Sequence, residues 1–301
     1  MRKIREHCDG NHIDYRLEEP LSEHTSFKIG GACDIFMQPE ETALPELIHK
    51  LKELETPFVV LGNGSNVLVR DKGFPGAIVS TLGNFKKLEL SGKAEISCGA
   101  GISIAELCEF AAENALTGLE FAYGIPGSAG GAVYMNAGAY GGEMRDVVRG
   151  VKYLDEDVRF QEISGAALDF SYRRSAFTGR NRVITEVRFS SDKIKKGDPL
   201  EIRAKMDDLM ARRKSKQPLE FPSAGSAFKR PEGAYASALI DRCGLKGLRV
   251  GGAQVSEKHA GFIINAGGAT CADVQNLIKL IQETVKNKTG FDLECEIKII
   301  G

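Results

Sequence analysis

The densest candidate for chemistry in this chain is a run of backbone rather than a set of reactive side chains. Phe121 to Glu143, FAYGIPGSAGGAVYMNAGAYGGE, holds seven glycines and five alanines in twenty-three residues, and Glu143 is its one charged side chain. Glycine reaches positive φ without strain and lets a ligand lie directly against its amides. The run therefore reads as a backbone cradle for a cofactor, or as a turn packed closely on a sheet. Upstream, Gly62, Asn63, Gly64, Ser65 and Asn66 interrupt two apolar β-branched runs, PFVVL and VLV. Successive N–H groups in such a loop form an anion-binding nest, and its three polar side chains add donors without charge, so a diphosphate fits there. Neither the GxGxxG nor the GxxxxGK[ST] spacing is present, which argues against the two commonest nucleotide folds. Two separated glycine loops suit a long, two-ended ligand such as FAD.

Four further groups carry polar chemistry. FSYRRSAF (170–177) sets Arg173 and Arg174 beside an aromatic residue. Arg212, Arg213, Lys214 and Lys216 close a helical stretch, where cations either complement the helix dipole in solvent or bind an anion. In FDLECEIKII (291–300), period two puts Asp292, Glu294, Glu296 and Lys298 on one strand face, and alternation selects none of the carboxylates. His259, in KHAGFIIN, is either a titrating group or a structural histidine beside a strand.

Among the elements that must position these groups, residues 40–55 form an amphipathic helix despite Pro45. Strands follow at 57–61, 67–69, 77–81, 87–90 and 94–98. Ser103 and Glu106 predict a capping box for the helix that delivers the chain to the long glycine run. Strands return between Val147 and Phe189. Asp198, Pro199 and Glu201 then start a helix after a charged linker, which marks a boundary near 196. Helices at 234–243 and 272–288 and strands near 226–229, 253–255, 260–264 and 291–300 complete the chain. HTSFKIGG (24–31) reads as a plain turn.

With 301 residues the chain is long enough for two or three compact units. Its 40 basic and 41 acidic residues, net charge -1, give no electrostatic case for nucleic acid. The charged N-terminus lacks a signal-peptide core and no apolar run reaches membrane-span length, so the protein is expected to be soluble and cytoplasmic, without membrane insertion. Seven cysteines form no CxxC pair and the histidines form no HxxxH pair, so free core thiols and no metal site are expected. No protein partner is inferable.

Taken together, LGNGSNVLVRD (61–71), GLEFAYGIPGSAGGAVYMNAGAYGGE (118–143), FSYRRSAF, PSAGSAFKRP (222–231), GLRVGGAQVSEKHAGFIIN (247–265) and LECEIKII (293–300) closely resemble the bacterial UDP-N-acetylenolpyruvoylglucosamine reductase (MurB) family, nearly end to end. The resemblance implies an α+β protein with the vanillyl-alcohol-oxidase/PCMH-like FAD-binding fold in two subdomains (1–83 and 84–196), followed by a C-terminal α+β substrate domain (197–301). It implies non-covalent FAD held by Gly62, Asn63, Gly64, Ser65, Asn66, Ile125, Pro126, Gly127, Ser128, Gly131, Ala132 and Gly138. It further implies NADPH as reductant and a UDP-sugar bearing an enolpyruvyl ether as substrate, reduced to UDP-N-acetylmuramate for peptidoglycan.

Residue by residue, Arg173 matches the family's carboxylate-polarising arginine, Ser226 its proton donor to carbon, and Glu296 the second glutamate of its LExE motif, with Glu294 as the internal alternative. Lys216, Arg230 and Arg213 fall near the family's substrate-diphosphate groups. The chain is short between Ser175 and Val183 and resembles the branch without the tyrosine-bearing lid. Two alternatives keep the fold or the pocket: an FAD-dependent alcohol or hydroxy-acid oxidase, and a non-catalytic UDP-sugar-binding protein. Oxygen-dependent turnover without NADPH distinguishes the first; sugar-nucleotide binding without flavin distinguishes the second.

Overall fold

The computed structural model describes residues 1–190 and 192–301. Packing groups the chain into two compact units, each assembled from separated stretches: residues 1–16, 35–63 and 76–212 form the first, and residues 17–34, 64–75 and 213–301 the second. The glycine loop at 62–66 is divided between them after Asn63.

The first unit carries helices α1 (Arg2–Gly10), α2 (Leu44–Glu53), α3 (Ile104–Glu113) and α4 (Ala129–Tyr134), and most of α5 (Pro199–Lys216). Helix α2 is shorter than its sequence pattern because Pro45 sits in the first turn, where its missing N–H costs nothing. It buries Leu44, Leu47, Ile48 and Leu51 against Ile4 and Cys8 of α1. The capping box of α3 forms as expected: the Glu106 N–H donates to Ser103 Oγ at 3.1 Å and the Ser103 N–H to Glu106 Oε2 at 2.9 Å. Asp198 starts α5, its Oδ1 accepting from the Leu200 N–H at 2.8 Å. A five-stranded antiparallel sheet runs Phe160–Ser164, Val148–Leu154, Val183–Phe189, Glu95–Gly99, Leu88–Ser91 in spatial order. It packs its apolar face on α3 and α4. Phe58–Leu61 pairs in parallel with Phe74–Ser80, Phe58 opposite Ala77, so the strand ends at the glycine loop.

The second unit has a four-stranded antiparallel sheet in the order Ser223–Ser226, Phe262–Asn265, Ala253–Val255, Arg249–Val250. Helices α6 (Ala236–Arg242) and α7 (Cys271–Thr289) pack on it through Leu239, Ile240, Val274, Leu277, Ile278 and Ile281. Helix α7 opens with a Thr270–Asp273 capping box and ends on Gly290 at φ 78°, the left-handed stop that glycine takes without a Cβ penalty. Asp71 adds to its start by accepting the Cys271 and Ala272 N–H groups at 2.6 and 3.1 Å.

Two sequence expectations are corrected. The strand near 226–229 lies at Ser223–Ser226 instead. The strand over 291–300 is reduced to Lys298–Ile300, which pairs in parallel with Val67–Val69. Residues 291–297 run irregularly with one isolated bridge, Cys295 to Phe228, and the adjacent Glu296 and Ile297 are both buried. Strict alternation fails there because the segment's N–H groups follow the neighbouring loop rather than a sheet ladder.

All seven cysteines are free thiols, six of them buried. Burial pushes the Cys8 and Cys33 thiols up to about 11, which leaves them protonated and unreactive at neutral pH. Among the described residues no helix is long and apolar enough to cross a membrane, and no cluster of three or more histidine, cysteine or acidic side chains is placed to hold a metal.

Candidate active site

In the first unit the two glycine-rich stretches meet. An added Cβ on Gly62 would collide with Ser128 Oγ, so only glycine lets the upstream loop lie against the downstream one. Ser128 is 1% exposed. It caps α4 by accepting the Gly131 N–H at 3.3 Å, which the sequence did not suggest: the glycine run is partly helical.

Other glycines of the run serve packing. A Cβ on Gly130 would stand 2.8 Å from that of Ala100, and one on Gly142 2.5 Å from the Phe121 ring. The packing reading of this stretch therefore holds at Gly130 and Gly142. Pro126 and Gly131 face outward, and Ile125, Gly127 and Gly138 are half-buried, while Ala132 is packed inside. Gly131 is exposed, and Ser128 Oγ, which accepts its N–H, lies against Gly62.

The FSYRRSAF segment docks at the other end of α4. Ser171 and Arg174 exchange backbone hydrogen bonds at 3.0 and 3.1 Å, closing a tight turn in which Arg173 takes φ 56°. That conformation costs a non-glycine residue about 1–2 kcal/mol and persists where surrounding structure imposes it. The imposing contacts are visible. Ser175 Oγ and Thr178 Oγ1 donate to the Tyr134 carbonyl at 2.9 and 3.2 Å, and Asn136 Nδ2 donates to the Ser171 carbonyl at 3.0 Å. The Arg173 guanidinium lies 5.4 Å from the centre of the exposed Tyr172 ring. Arg174 is exposed.

In the second unit the remaining loop residues, Ser226 and Glu296 are knitted together by backbone. The Glu296 N–H donates to the Ala227 carbonyl at 2.9 Å, one residue after Ser226. Asn66 Nδ2 donates to the Glu296 carbonyl at 3.1 Å, and the Asn66 carbonyl accepts the Lys298 N–H at 3.0 Å. Asn66 thus clasps the chain from Glu296 to Lys298, on both sides of Ile297. Glu296 is 9% exposed, whereas the Glu294 side chain is 71% exposed and paired with Lys229. Burial separates the two glutamates that alternation could not.

Ser226 ends its strand after Gly225 at φ 75°, opposite Phe262. His259 accepts the Gly261 N–H on Nδ1 at 3.2 Å and meets Phe262 edge-on at 4.9 Å. Burial lowers its pKa below the usual histidine value, so the neutral ring closes the turn beneath Ser226's partner strand. Arg213 is buried and Lys216 exposed. Arg230 stacks over the Tyr235 ring at 3.8 Å.

The turn at His24–Lys28, which the sequence presents as ordinary, supports the loop. The Ser26 N–H donates to the Gly64 carbonyl at 3.3 Å, and Ser26 Oγ to the Ser223 carbonyl at 2.6 Å. A Cβ on Gly64, whose φ is 59°, would strike the His24 carbonyl oxygen. Gly64→Ala is expected to destabilise the protein by about 2–4 kcal/mol, combining left-handed strain with overpacking. Denaturant unfolding checks it; a midpoint equal to the parent's refutes this account of Gly64.

Comparison with known proteins finds two family models in the chain. A family model described as "FAD binding domain" matches residues 34–164. A solved structure of a berberine bridge enzyme variant superposes with a TM-score of 0.51 at 13% identity, covering 65% of this chain and 44% of that one. Fold and family model define an FAD-binding oxidoreductase with the α+β vanillyl-alcohol-oxidase/PCMH-like architecture. A second model, "UDP-N-acetylenolpyruvoylglucosamine reductase, C-terminal domain", matches residues 217–300, and relatives of that name match almost the whole chain. The one from Caldanaerobacter subterraneus subsp. tengcongensis is 48% identical over 286 residues, 95% of this chain and 93% of its own. That from Exiguobacterium sibiricum is 47% identical over 290 residues, 95% of this chain and 92% of its own. The crystal structure of the Thermus caldophilus reductase superposes with a TM-score of 0.81 at 36% identity, covering 96% of this chain and 99% of that one. The chain belongs to the UDP-N-acetylenolpyruvoylglucosamine reductase family.

Proposed function

We propose that the protein uses NADPH to reduce the enolpyruvyl ether of UDP-N-acetylglucosamine to the lactyl ether, giving UDP-N-acetylmuramate for peptidoglycan precursor synthesis in the cytoplasm. In this reading residues 1–83 and 84–196 carry the cofactor and 197–301 the substrate. FAD, held by Gly62–Asn66 and by Ile125–Ser128, Gly131, Ala132 and Gly138, supplies the hydride carrier between NADPH and the substrate's methylene carbon.

The protein's own residues divide the remaining work. The planar fork of Arg173 binds and polarises the substrate carboxylate, toward which negative charge moves as hydride arrives. Ser226 delivers the proton to the neighbouring carbon. A serine hydroxyl is a weak acid, so accumulating charge on the substrate must drive that transfer. Glu296, as the neutral acid, donates a hydrogen bond to the enol-like intermediate. Lys216, Arg230 and Arg213 offer cations to the substrate diphosphate.

The observation that carries this reading is Glu296, the one acid of the C-terminal run that is buried, clasped by Asn66 and tied to the residue after Ser226. Anaerobic stopped-flow spectroscopy tests it. Reduction by NADPH followed by rapid recovery of the oxidised flavin spectrum on adding the enolpyruvyl sugar nucleotide is the expected result. Recovery with oxygen alone would overturn the substrate assignment.

A further inference from the structure

Glu143 is the single charged side chain of the glycine-rich run, and Asn136, seven residues earlier, is 1% exposed with φ 43°. No cofactor or substrate contact assigned above uses either residue. Their hydrogen bonds converge on the Arg173 turn. Asn136 Nδ2 donates one hydrogen to Glu143 Oε2 at 2.6 Å and the other to the Ser171 carbonyl at 3.0 Å, while Asn136 Oδ1 accepts the Arg145 N–H at 3.0 Å. Both amide hydrogens are committed. Glu143 Oε1 is held by the Arg145 guanidinium at 2.8 Å, and the Glu143 N–H donates to Asp146 Oδ2 at 3.0 Å. The Ser171 carbonyl is also the one that accepts the Arg174 N–H to close the turn. Asn136 therefore grips the atom that sets the turn's geometry, two residues before the strained Arg173.

We infer that Asn136 and Glu143 are positioning residues that hold Arg173 in its left-handed conformation, an inference that rests on the role proposed above for Arg173. A charge-assisted hydrogen bond donated to the Glu143 carboxylate fixes the orientation of the Asn136 amide, because a flipped amide would set oxygen against carboxylate. With the amide fixed, its second hydrogen can point only at Ser171. Helix α4 makes this useful: at 1.5 Å per residue its six residues span about 9 Å. Its start is Ser128, against Gly62; just past its end stands Asn136. One short rigid element thus spaces the cofactor loop and the arginine turn within the first unit.

The test is a double-mutant cycle read in separate half-reactions. Asn136→Ala is expected to slow flavin reoxidation by the enolpyruvyl substrate on the order of 10²-fold, the scale of a misplaced catalytic group, while NADPH reduces the flavin at the parent rate. Glu143→Ala gives the same defect and Glu143→Gln, whose amide oxygen still accepts from Asn136, recovers most of it. The Asn136→Ala, Arg173→Ala double variant reoxidises no more slowly than Arg173→Ala alone. Parent-like reoxidation in Asn136→Ala, or a double variant slower than Arg173→Ala by the full single-variant factor, overturns the inference while leaving Arg173's role standing. Parent-like reoxidation in Arg173→Ala overturns both. If Asn136→Ala does not retain FAD, the Glu143 variants carry the same cycle. Equilibrium binding of the sugar nucleotide to the oxidised enzyme, followed by the flavin spectrum, is expected to weaken in step with Arg173→Ala.

Discussion

Replacing Ser226 with alanine will leave flavin reduction by NADPH intact and slow reoxidation by the enolpyruvyl substrate by roughly 10²–10⁴-fold, the usual contribution of a positioned proton donor. The asymmetry follows from the chemistry: hydride delivery from NADPH needs no proton on carbon, whereas completing the lactyl ether does. The structure makes the substitution a clean one. Ser226 ends a strand whose course is set by backbone, with Gly225 at φ 75° before it and the Ala227 N–H donating to the Gly261 carbonyl at 2.8 Å after it. Among the described residues no hydrogen bond of the fold runs through its hydroxyl, so alanine removes the proposed proton donor without removing a structural contact. Anaerobic stopped-flow traces of the two half-reactions decide the matter. Equal losses in both would remove Ser226 from the proton-donor role and point to a general disturbance of the site.

The second large effect is expected at Arg173, where activity and stability should separate. Arg173→Gly removes the group proposed to polarise the substrate carboxylate, and loss of one such stabilising contact costs about 10²–10³ in rate. Stability should hardly change. The arginine's left-handed backbone costs about 1–2 kcal/mol, which glycine relieves, while the glycine's extra freedom in the unfolded chain returns about 0.4–1 kcal/mol against folding. The contact over the exposed Tyr172 ring adds only about 0.5–1 kcal/mol to what is lost. The two sides nearly cancel, so chemical denaturation should place Arg173→Gly within about 1 kcal/mol of the parent. A variant that lost several kcal/mol would show that Arg173 is a structural residue whose conformation stabilises its turn. Arg173→Lys keeps the charge and loses the fork, and its reoxidation should stay well below the parent's.

Much of this was legible in local patterns. Ser103 and Glu106 announced their capping box, Asp198 and Pro199 the start of α5, and the alternating runs 148–154 and 183–189 their strands. Such signals act over one turn or one pleat, so nearby residues suffice to read them. The composition of the two glycine loops likewise pointed to FAD binding, because glycine's conformational freedom is a property of the residue itself. The arrangement of catalytic candidates was not legible in that way. Glu294 and Glu296 have the same chemistry and the same parity in the chain; they differ because the segment 294–296 follows residues 227–229, burying one side chain and pairing the other with Lys229 at the surface.

The unremarkable HTSFKIGG turn proved to support Gly64 and to anchor the strand carrying Ser226, through a contact spanning 197 residues. Asn136 and Glu143 gained meaning only when Ser171 was folded against them. Loop composition and helix caps are local energies that the chain states in order. Which carboxylate is desolvated, and which arginine is bent into a strained turn, depends on contacts between distant segments, and those exist only once the chain has closed on itself.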